Sequence, residues 1–167
     1  MSRPVRPWHL LLLPAVLAAN YAFAVARHEW SHTLVARAFG ADVPEIHLWP
    51  PRGVNLSWIT LGFRRPPHPW AVPTQAAAPY VVALAIIAAS LWGLGRLPAG
   101  IVRANLVVTG VIFPCAEVVT NVLAYWKAPN DLYWMLGTHA LAARVAVTAV
   151  AGVVLAGAGW RTTRALR

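Results

Sequence analysis

Acidic residues are scarce in this chain. Of 167 residues only five are Asp or Glu, against fourteen Lys or Arg, and the charged fraction is 11%. A soluble globular domain devotes about 25% of its residues to charge, so a surface wetted on every side is excluded. Cysteine is nearly absent as well: Cys115 stands alone, which rules out an intrachain disulfide and reads as a buried thiol. The net charge of +9 would suggest nucleic acid if the basic residues formed a patch. They are instead scattered at the ends of apolar segments, as membrane-flanking anchors are, so nucleic acid is not expected as a partner. Internal repeats, low-complexity tracts and a second composition are also missing, and residues 1–167 read as a single membrane-embedded domain.

What is present is apolar. Hydrophobic residues make up 59% of the chain and the mean hydropathy is +0.57. A helix that crosses a bilayer needs about 20 mainly apolar residues, and four segments approach this. Trp8 to Ala26 is the first, continuing as helix to about Phe39; Ala76 to Gly95 is the second; Ala104 to Trp126, with Glu117 as its only formal charge, is the third. The fourth lies within Leu132 to Trp160, interrupted by Arg144, and its first two turns are expected at the interface or as a re-entrant segment. Trp8, Trp49, Trp70, Trp92, Trp126 and Trp160 fall near the ends of these segments, where indole rings favour the headgroup region. The N-terminus also imitates a cleavable secretory signal, with Arg3 and Arg6 before an apolar core and Ala22-Phe23-Ala24 after it, but an uncleaved first span accounts for more of the sequence.

Between the first two spans, EIHLW (Glu45 to Trp49) and VNLSWITLGF (Val54 to Phe63) flank the turn-forming Pro50 to Gly53. Alternation of apolar and polar residues predicts a small hairpin, after which Pro66, Pro67, Pro69 and Pro73 should break regular structure. The expected fold is therefore an all-α integral membrane protein, about four transmembrane helices with a small β-hairpin between the first and second. Distribution of Arg and Lys across four spans favours both termini in the cytoplasm, and enrichment in Ala, Val, Arg and Pro suggests a bacterial cell membrane.

The chemistry concentrates in ARHEWSHTLVARAFG, Ala26 to Gly40. Residues four apart share a helix face, so His28 and His32 can address one metal ion, and Glu29 can act as general base toward water. The HExxH pattern should arise about 0.004 times in a shuffled chain of this composition, and ionisable groups beside a hydrocarbon span usually mark function. The alternative is a helix end meeting headgroups, with Arg27 and Arg37 snorkelling. Imidazole and carboxylate ligands without a redox role favour zinc.

Two histidines leave the ligand set incomplete. Asp131, Glu117, His139 and His47 are the candidates for the third position. Connectivity favours Asp131: after three crossings it returns to the side of the membrane where His32 lies. Glu117 shares a helix face with Asn121 and can instead hydrogen-bond between helices.

With HEWSH at the end of the first span, AAAPYVVAL at Ala76 to Leu84, and Asn121 followed by Asn130-Asp131, the chain resembles the site-2 protease family of intramembrane zinc metalloproteases, particularly its small bacterial members. The resemblance implies a zinc ion held by His28, His32 and Asp131, Glu29 as the catalytic glutamate, and Asn121 as a substrate-orienting or oxyanion-side group. It implies hydrolysis of peptide bonds in membrane-spanning or membrane-proximal protein substrates. Leu132 follows Asp131 where the family commonly has Gly. A non-proteolytic membrane metal carrier or sensor, and an inactive scaffold, are the other function classes compatible with these residues.

Overall fold

The apolar runs fold as helices, and the polar interval between the first two carries the strands. A computed structural model of the chain describes residues 13–48, 58–63, 65–98 and 100–166. Helix α1 (Leu13–Ala38) leads through a tight turn at Gly40 into β1 (Ala41–His47), which pairs antiparallel with β2 (Trp58–Phe63). Helix α2 (Ala71–Leu94) follows. Then α3 (Ile101–Val107), a π-helical turn (Val108–Ile112) and α4 (Phe113–Lys127) run on as one rod. A short α5 (Asp131–Leu136) and a long α6 (Leu141–Leu166) complete the chain.

Three of the described helices are long and apolar enough to cross a membrane: α2, the rod Ile101–Lys127, and α6. The expected count of four is not reached, because α1 is described only from Leu13 and from there carries Asn20, Arg27, His28, Glu29, His32 and Arg37. Residues 8–12 of the expected first span, Trp8 among them, together with Trp49, the Pro50 to Gly53 turn and residues 54–57 of the expected second strand, lie outside the described residues. Phe23, Leu34, Val81, Leu123 and Val153 are all more than half exposed, an outer surface suited to hydrocarbon rather than water. Trp70, Trp92, Trp126 and Trp160 are exposed near helix ends, and Arg96 and Arg164 lie over the rings of Trp92 and Trp160 at 3.6 and 4.4 Å.

Three boundaries differ from expectation, each for a local reason. Strand β1 begins at Ala41 rather than Glu45, because Ala41 and Val43 bury against Ala36 of α1. Its register slips by one between Asp42↔Gly62 and Glu45↔Thr60, a bulge that accommodates Pro44, which has no N–H to offer the ladder. Helix α2 starts at Ala71, so Pro73 does not break it; in the first turn a missing N–H has no intrahelical partner to lose. The fourth apolar segment is divided: Gly137 adopts a left-handed φ of 67° at the end of α5 and separates that short helix from α6, placing Arg144 in the first turn of the latter.

The rod and α2 cross closely. A Cβ built on Gly110 would lie 2.0 Å from Ser90 Oγ, so only glycine permits this approach. The π turn around it also has a sequence cause. In an unbroken α-helix the ring of Pro114 would clash with the carbonyl of Gly110 four residues back, and the wider i→i+5 spacing moves the two apart.

Candidate metal centre

Four elements bring their polar residues to one end of the bundle. On α1, the rings of His28 and His32 meet edge to face, with centroids 4.8 Å apart and planes at 77°. Helix α4 supplies Glu117, and Asp131 opens α5 directly after the chain leaves α4. His28, His32 and Asp131 form a cluster able to hold a metal ion. His28 Nε2 lies 3.0 Å from Asp131 Oδ2, His32 Nε2 lies 3.3 Å from the same oxygen, and the two Nε2 atoms are 3.1 Å apart.

The outer nitrogens decide what the inner ones present. His32 Nδ1 sits 2.7 Å from the backbone carbonyl of Gln75, and a carbonyl only accepts, so Nδ1 donates. His28 Nδ1 is 2.8 Å from Glu117 Oε1, and donation to the carboxylate follows in the same way. In the neutral rings both Nε2 atoms then turn lone pairs toward each other and toward Asp131. Three electron-rich atoms at this range repel one another unless a cation sits among them. Their spacing is close to the separation of about 3.3 Å expected of ligand atoms tetrahedrally arranged around an ion at 2.0–2.1 Å. Histidines that ligate metals commonly donate their other N–H to a carboxylate or backbone carbonyl, and here one does each. The donor set therefore fits a metal ion.

Glu117, considered above as a ligand, takes this supporting place instead. It accepts from His28 and forms an ion pair with Arg27, so Arg27 turns inward rather than snorkelling.

A backbone detail prepares His32. In an α-helix the Gln75 carbonyl would accept from the N–H of residue 79, but that residue is Pro79, inside α2, which has none. The freed carbonyl is the one that His32 engages. Replacing Pro79 with Ala is expected to draw this carbonyl back into the helix ladder. With Zn2+ as the probe ion, affinity should fall about tenfold, while thermal unfolding of the metal-free protein in detergent moves up, since proline is the poorest helix former. Unchanged affinity in a chelator-competition titration would remove Pro79 from this role.

A cavity of about 1070 Å³ opens onto the cluster. Glu29, 3% exposed, lines it with His28, His32 and Asp131, as do Asn121 and the strand residues Ile59, Leu61 and Phe63. One amide N–H of Asn121 is taken by the Glu117 carbonyl at 3.0 Å. The remaining ligand candidates lie elsewhere. His47 pairs with Glu45 on β1 at 2.9 Å, and His139 stands between Tyr125 and Tyr133 with Arg144 on its Nδ1. The Gln75 carbonyl was not among the residues expected at the site, although a proline inside a helix signals a released backbone acceptor four residues before it. Compared with known proteins, the chain matches no family model, no curated protein and no solved structure.

Proposed function

We propose that the protein is an intramembrane zinc metalloprotease of the site-2 protease type, with its first helix as a fourth span and His28, His32 and Asp131 as the zinc ligands. The observation that carries this reading is the convergence of His28 Nε2, His32 Nε2 and Asp131 Oδ2 within 3.0–3.3 Å in a cavity also lined by the buried Glu29. Imidazole and carboxylate donors in a three-ligand set suit catalytic zinc. The chemistry such an ion supplies when bound is Lewis acidity toward a carbonyl oxygen and toward water.

The residues of the chain do the rest. Glu29 takes a proton from water as its oxygen attacks the scissile carbonyl carbon, and delivers that proton to the amine nitrogen as the C–N bond breaks. Asn121 has a second amide N–H for a substrate oxygen. A membrane-spanning substrate has its amides bonded within its own helix and must unwind to be cut. Strand β2 belongs to a sheet of two strands and faces the cavity with Ile59, Leu61 and Phe63, which suits pairing with an unwound segment.

Among the described residues there is one three-ligand cluster. A carrier needs successive ligand sets along a path, so this favours hydrolysis over transport. The test is direct. Protein purified in detergent should carry near-stoichiometric zinc and cleave an apolar transmembrane reporter, and a chelator should abolish cleavage that added Zn2+ restores. Zinc-loaded protein that cuts no reporter across a panel of sequences would leave a metal-binding protein, not a protease.

A further inference from the structure

Two side-chain oxygens in the cavity wall lack a donor. Gln75 Oε1 and Asn130 Oδ1 are both buried without a hydrogen-bond partner, and both residues line the cavity. Gln75 is only 9% exposed. For Asn130 the amide orientation is fixed, because its Nδ2 donates to the Asn121 backbone carbonyl at 2.8 Å, leaving oxygen as the unpaired end.

The two acceptors flank the metal cluster. Gln75 holds His32 through its backbone carbonyl, and Asn130 immediately precedes Asp131. The wall around them is largely apolar, with Ile59, Leu61, Phe63, Val72, Phe113 and Trp134. A buried acceptor without a donor costs about 1–3 kcal/mol, and two of them beside one cluster call for a ligand that brings N–H groups with apolar side chains. An extended peptide does so. A helical one does not, since past its first turn each N–H is already bonded within the helix.

We propose that Gln75 and Asn130 read main-chain N–H groups of an unwound apolar peptide, with Gln75 as the stronger determinant. This rests on the hydrolytic reading above and deepens it. The site thereby selects for local unwinding and refuses a segment in which the contacted nitrogen is N-alkylated or belongs to proline.

The test uses the Glu29→Gln protein loaded with Zn2+ and a fluorescein-labelled peptide of Leu, Val and Ala with a central Gly pair, read by anisotropy in detergent. N-methyl groups are placed on successive backbone nitrogens of the same peptide. Gln75→Met, close in shape but without the amide, should weaken the unmodified peptide about tenfold. One N-methylated peptide should bind Glu29→Gln about tenfold more weakly and show no additional loss in the Gln75→Met background. Zinc content should be unchanged. Equal weakening of all peptides, absence of any effect, failure of the unmodified peptide to bind, or loss of zinc from Gln75→Met would each overturn the proposal. Failure of the hydrolytic reading has a different signature: the coupling holds, yet loaded wild-type protein leaves the unmodified peptide intact.

Discussion

Alanine at Asp131 is expected to weaken Zn2+ binding by at least about a hundredfold, and alanine at His28 by at least as much. Loss of a partner merely supporting a metal ligand typically costs 10–100-fold, and these substitutions remove ligand atoms themselves. The geometry sharpens the expectation. Without Asp131 Oδ2, the two Nε2 atoms at 3.1 Å keep their mutual repulsion and lose the only anionic member of the triad. Zinc per protein, measured side by side for both variants and for Glu117→Gln, separates ligand from support: the glutamine retains an acceptor for His28 Nδ1 and should bind zinc far better than either alanine variant. Full zinc in Asp131→Ala would shift the third ligand to another residue and undo the assignment made here.

Glu29→Gln is expected to hold zinc at the wild-type level and to lose peptide hydrolysis by about 10²–10⁴-fold, the range that a positioned general base contributes. Glutamine keeps the size of the side chain in a place that is 3% exposed but has no oxygen able to accept and return a proton at neutral pH. The comparison to make is single-turnover cleavage of the reporter together with metal content in the same preparation. Retained cleavage would mean that proton transfer runs through another group, and joint loss of zinc and activity would mean that Glu29 supports the metal.

Much of this was legible in the residues. HEWSH announces a shared helix face and the apolar runs announce helices; Asp131 does lie beside His28 and His32, although the first of the crossings invoked to bring it there is not among the three described helices long and apolar enough to span a membrane. What escaped was local. The start of α2 at Ala71 depends on proline being harmless in a first turn, which a rule that treats proline as a breaker misses. The start of β1 at Ala41 depends on burial against Ala36, a tertiary contact with no periodic signature. The role of Glu117 could not be separated from that of a ligand, because an acid one helix away from a histidine can bind the metal or the opposite ring nitrogen. Only the placement of Nδ1 at 2.8 Å distinguishes them.

The π-helical turn at Val108–Ile112 means that the site depends on residue count as well as residue identity. Such a turn is equivalent to one residue inserted into an α-helix, and each residue advances the helix by about 100°. Everything from Phe113 onward, including Glu117 and Asn121, is therefore indexed by that insertion. A lineage that lost a single residue there could keep every polar side chain and still turn Glu117 away from His28, so deletions in this stretch should be purged more strictly than substitutions.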